Sequence, residues 1–179
     1  MSNKNSTNLL FRKNITDIKS ENSFIRTKVA LLVEIGELAN ELATFKHWKS
    51  QKEVDWEKAR EELIDCFHFY LSFTNNFQID FSNYSKFSER FSEKKDNIMP
   101  YDLSPPSIIR LNKLLWELFF ETERMIPLLY IPEKEYFYRW LIVFEELCQR
   151  LGMENEAEIK KVYLAKNKKN REKQKDISY

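Results

Sequence analysis

Glycine is almost missing from this chain, with two residues in 179 against five prolines. Tight hairpins draw on glycine for backbone angles that other residues resist, so this scarcity argues against a strand-rich fold. Hydrophobic residues, 42% of the chain, recur mostly at helical spacing, and 15% of all residues are aromatic. That is enough apolar material for one well-cored domain. Residues 1–179 are therefore expected to form a single all-α domain, a bundle of helices without an internal repeat or a clear linker.

The helices can be placed from punctuation and period. Leu9 to Ile18 forms a weakly periodic first helix. A strong helix runs from about Thr27 to Trp48, with Leu31, Ile35, Leu38, Leu42 and Phe45 on its apolar stripe. Asp55 is placed to cap a helix reaching about Asn75. Phe81, Tyr84, Phe87 and Phe91 have helical spacing, which SEKKDN and Pro100 interrupt. Ser104-Pro105 starts another helix that stops before Pro127, and Pro132 opens one that Gly152 ends. A last helix begins near Asn155 and runs into the polar KNKKNREKQKDISY.

The two most apolar stretches, 29–43 and 62–73, contain acid pairs: Glu34/Glu37 and Glu62/Asp65. On a helix an i, i+3 pair shares one face, about a turn apart. Ionised carboxylates enter poorly hydrated surroundings only with compensation. Were the two helices antiparallel neighbours, the pairs would face one another, and an all-oxygen cluster favours a hard divalent cation, Mg²⁺. The plainer alternative makes Glu34, Glu37, Glu61 and Glu62 exposed acids of amphipathic helices, paired to lysines such as Lys28 and Lys58. Two such pairs in apolar surroundings favour the metal. His68 follows Asp65 by one turn; with Phe69 it suits a nucleobase pocket as well as a boundary position.

The C-terminal stretch carries Lys160, Lys161, Lys166, Lys168, Lys169, Arg171, Lys173 and Lys175. A solvated helix end explains it simply; a basic arm over 163–179 that folds onto phosphates explains it together with the acids. The net charge of +1 speaks against a surface devoted to nucleic acid or membrane. No apolar run approaches the roughly 20 residues that span a bilayer, and MSNKNSTN lacks a secretory core. Cys66 and Cys148 lie within apolar helical patterns, which fits a reducing cytoplasm rather than a disulfide or zinc site.

KVALLVEIGELANE (28–41), FKHW (45–48), EELIDCFHF (61–69) and YLAKNKKNREKQ (163–174) resemble successive motifs of the dimeric all-α dUTPases. These belong to the all-α nucleoside triphosphate (NTP) pyrophosphatase superfamily with the MazG-like enzymes. The resemblance implies a homodimer that hydrolyses dUTP, with dUDP as a further candidate substrate, to dUMP; the cysteine usage and polar N-terminus place it in the cytoplasm. Glu34, Glu37, Glu62 and Asp65 would hold Mg²⁺, with Glu34 or a neighbour orienting the attacking water. Trp48, His68 and Phe69 would shape the uracil-deoxyribose pocket, Asn170 would read the base edge, and Lys166 and Lys173 would reach the phosphates. The chain departs from the family pattern in three places. Lys173 stands where Arg usually precedes the glutamine, here Gln174; the usual Gly-Tyr corresponds only to Ile177-Ser178-Tyr179; and no glutamine-bearing motif is recognisable in LLFRKNITDI (9–18). A broader nucleotide pyrophosphatase, or a catalytically weak helical binding module, remains the alternative.

Overall fold

The computed structural model describes residues 4–47, 53–91, 98–125 and 133–176, with side chains described at 23–47, 53–90, 98–125, 133–169 and 172. Six helices follow one another: α1 (Lys4–Leu42), α2 (Trp56–Asn76), α3 (Tyr84–Phe91), α4 (Pro105–Arg124), α5 (Lys134–Arg150) and α6 (Glu156–Asp176). The described residues contain no strand.

One expectation is overturned at the start of the chain. The helices expected over 9–18 and from Thr27 onward are not separate but parts of one 39-residue helix, Lys4–Leu42. Between them lies polar sequence with neither glycine nor proline, and so nothing that stops a helix. The same helix ends earlier than expected, at Leu42, where Ala43 turns into the left-handed region at φ 53°. Phe45 is consequently 41% exposed, whereas Leu31, Ile35, Leu38 and Leu42 are buried.

Elsewhere the boundaries follow local chemistry. The Asp55 carboxylate accepts a hydrogen bond from the Lys58 amide at 3.0 Å and caps α2. Pro105 sits at the first position of α4, where a missing N–H costs nothing. At the end of α5, Gly152 takes φ 73° while its N–H bonds the Gln149 carbonyl and that of Met153 bonds Cys148, a Schellman closure. Asn155 Oδ1 accepts from the Glu158 amide at the start of α6.

Paired side chains give the packing directions. Glu41 meets Lys58 and Phe24 meets Phe73, so α1 and α2 are antiparallel. Arg110 bonds Glu146 and Trp140 donates to Thr122, so α4 and α5 are antiparallel. Phe67 stacks on Phe144 at 4.5 Å and Tyr70 on Trp140 at 4.2 Å, which closes α2 against α5. Thr44 and Lys28 reach Asn112 and Glu123, laying α1 along α4. The result is a four-helix core of α1, α2, α5 and α4, with α3 against α5 and α6 against α2. Cys66 and Cys148 are buried free thiols within it. No helix among the described residues is long and apolar enough to cross a membrane.

Candidate active site

Antiparallel pairing of α1 and α2 decides which acids meet. Leu31, Ile35 and Leu38 bury one side of α1, and Leu63, Ile64 and Cys66 one side of α2. The acids at the margins of these faces are drawn to the seam. Glu34, Glu62 and Asp65 converge, each offering an oxygen within 4.8 Å of the others. Glu62 is the most enclosed of the three at 8% exposure. Glu37, one turn beyond Glu34, is exposed and outside this trio, though its charge still acts on both Glu34 and Glu62.

Assembling so many like charges in a sheltered seam has an electrostatic cost. Burial, followed by the charges of Asp65, Glu37 and Glu62, pushes the Glu34 carboxyl up to about 7. Burial also raises Glu62, against the opposing influence of Lys166. The relief comes from α6, which runs antiparallel to α2. Lys166 Nζ lies 2.7 Å from Asp65 Oδ2 and 3.7 Å from Glu61 Oε2, while Lys169 donates to Glu61. Burial disfavours the charge on Lys166, but its bond to Asp65 and the surrounding acids outweigh that and hold its ammonium above the ordinary lysine value. The bond from Lys169 keeps Glu61 below the usual carboxylate value.

The donor set fits a hard cation. Around Mg²⁺, with metal–oxygen distances of ~2.1 Å, ligand oxygens sit roughly 3–4 Å apart. Carboxylates already within 4.8 Å need only small side-chain rotations to reach that spacing. A carboxyl raised to about 7 by burial and by the acids around it is also what a divalent ion would relieve.

The other expected site residues are distributed as follows. His68 is exposed on α2, one turn from Asp65, with its ring 6.4 Å from that of Tyr163 at 29°. Phe69 is half-buried against the core. Trp48 lies outside the described residues. Asn170 and Lys173 lie on the backbone of α6 beyond Lys169, but their side chains are outside the described set. Lys28 and Lys58, the partners that the plainer reading assigned to the acids, instead bond Glu123 and Glu41.

Two participants were not singled out from sequence: Glu61 as the anchor for two lysines, and Tyr163 as the partner of His68. Their signal was the match between Glu61/Asp65/His68 on α2 and Lys169/Lys166/Tyr163 on α6, which pair one to one when the helices run antiparallel. A family model described as dUTPase matches residues 8–179 of the chain. No curated protein and no solved structure matches it.

Proposed function

Because the chain belongs to the dUTPase family, we propose that it is an Mg²⁺-dependent pyrophosphatase that converts dUTP to dUMP and pyrophosphate, acting in the cytoplasm as a homodimer. The observation that carries this reading is the convergence of Glu34, Glu62 and Asp65 from two helices into one shielded seam. In the proposal these three side chains hold the metal and Glu37 approaches from the rim. Bound there, Mg²⁺ would neutralise charge on phosphate oxygens and make water more acidic.

The protein's own groups supply the rest. Below about pH 7 Glu34 carries a proton that it must release before it can serve as a ligand or hold a water for attack. Lys166 and Lys169 place two ammonium groups beside the cluster, where the phosphate chain of a nucleotide would lie. Asn170 and Lys173 extend the same helix toward base and phosphate. His68 and Tyr163 offer a flat aromatic edge one turn from Asp65, suited to a nucleoside ring; Trp48 and Phe69 would complete the pocket.

The test is release of the nucleoside monophosphate from a panel of dUTP, dUDP, dCTP, dTTP and UTP, each with Mg²⁺ and with EDTA. The reading expects Mg²⁺-dependent turnover with dUTP preferred. Equal turnover across the panel would reassign the chain to broad nucleotide hydrolysis, and binding without turnover would make it a binding module.

A further inference from the structure

Helix α6 is attached in two different ways along its length. In its first half Ile159, Val162 and Tyr163 pack against the core. Past Tyr163 no described apolar side chain is buried, and Leu164 is 57% exposed. What the described side chains offer there is ionic attachment to α2: Lys166 to Asp65 and Glu61, and Lys169 to Glu61. The Lys166 side chain is only 12% exposed and is surrounded by carboxylates. It occupies the position of a cation in an acidic cluster, on a side chain tethered to a helix.

We propose that Lys166 stands in for the divalent cation in the nucleotide-free protein, and that cation binding at Glu34, Glu62 and Asp65 ejects it and loosens α6 beyond Tyr163. The inference rests on the metal reading given above. An Asp65 carboxylate holding an ammonium at 2.7 Å cannot turn the same oxygen to a divalent ion without pressing two cations together. The ion, with three carboxylates and twice the charge, wins that contest. Glu61 is not in the trio, so its bond to Lys169 persists and keeps the loosened helix close. Because helix docking and cation binding compete for one group, each weakens the other by the same factor. A phosphate bound on the ion then gives the freed ammonium a new partner. The cation alone opens the helix, and cation with polyphosphate closes it again.

Hydrogen exchange of the full chain in EDTA, in Mg²⁺, and in Mg²⁺ with inorganic pyrophosphate tests this, with cation binding followed separately by calorimetry. KCl at matched ionic strength controls for simple screening. Peptides from 164–172 should exchange roughly two- to fivefold faster in Mg²⁺ than in EDTA, the effect of losing one such ion pair. Residues 156–163 should not change, and pyrophosphate should restore protection. In Lys166→Gln the 164–172 peptides should exchange fast already in EDTA, with no further effect of Mg²⁺. Binding of Mg²⁺ with unchanged or slower exchange at 164–172 overturns the displacement but leaves the metal site standing. Absence of Mg²⁺ binding overturns both.

Discussion

At the residue scale the question is what each carboxylate does for the cluster. Replacing Asp65 or Glu34 by alanine removes a converging oxygen ligand from a seam whose helices are held mainly by Leu31, Ile35, Leu38, Leu63 and Ile64. Turnover of dUTP should fall by at least about 10²–10³-fold, the range for removing one group that stabilises transition-state charge. Far-UV circular dichroism should stay unchanged; wild-type rates in either variant would remove the site from consideration. Glu34 also predicts a pH dependence. Its folded-state value, about 7, lies above the ordinary 4.5, so the fold prefers the protonated acid. Stability from this group is therefore fully present below about pH 4.5 and is lost as pH rises through 7. In EDTA, melting curves of Glu34→Gln and wild type should coincide near pH 4.5, with the variant increasingly the more stable by pH 8; a gap independent of pH would contradict the assignment. Glu34, Glu62 and Asp65, named from their i, i+3 spacing, lie on the faces that α1 and α2 turn to each other. The same spacing does not tell Glu37 apart from them; that side chain lies exposed at the rim of the seam, outside the converging trio. Glu61 was named only as one of several exposed acids, because its part as an anchor depends on lysines more than a hundred positions away, which only the tertiary fold brings near.

Elements were legible where a side chain or ring acts on the backbone locally. Asp55, Pro105, Gly152 and Asn155 mark boundaries that the structure keeps, because caps and fixed φ angles operate within a single turn. The junction within α1 was not legible: weak periodicity over 9–18 suggested a separate helix, while nothing in the polar stretch that follows was able to end one. Nor did the apolar pattern through Phe45 reveal that the chain turns at Ala43, where Thr44 engages Asn112 of α4. The two glycines make opposite predictions at this scale. Gly36 sits inside α1 with nothing within 4 Å of an added Cβ. Gly36→Ala should raise stability by ~0.5–1 kcal/mol, a few degrees in Tm. Gly152 has φ +73°, and a Cβ there would collide with the Tyr101 hydroxyl. That hydroxyl also accepts from Arg60 at 2.8 Å, so it is not free to swing aside without loss. Gly152→Ala should cost more than about 1–2 kcal/mol, the left-handed penalty alone. Thermal melts of the two variants should move in opposite directions; a shared direction would mean that packing against undescribed groups dominates at one of them.

For the molecule as a whole, the unsettled surface is the one shared by α1 and α4. Ile25, Val29 and Val33 recur every four residues on α1, and Ile109, Trp116 and Phe120 lie along α4; all are among the exposed large hydrophobic side chains. The Lys28–Glu123 and Thr44–Asn112 contacts set these helices side by side, so the two apolar stripes lie on neighbouring helices. Apolar side chains scattered singly over a surface need no explanation, but stripes on adjacent helices commonly mark association. The proposed homodimer gives them an occupant, a second copy of the same stripe related by a twofold axis. Trp116, 69% exposed, contributes the largest ring and is the natural centre of such a contact. A glutamate there would bury a charge in each copy, and by symmetry the two charges would lie near one another. Sedimentation at micromolar concentration should show the wild-type chain as a dimer and Trp116→Glu as a monomer of unchanged helix content. A wild-type monomer, or a variant that still dimerises, would assign these stripes to something other than a second copy.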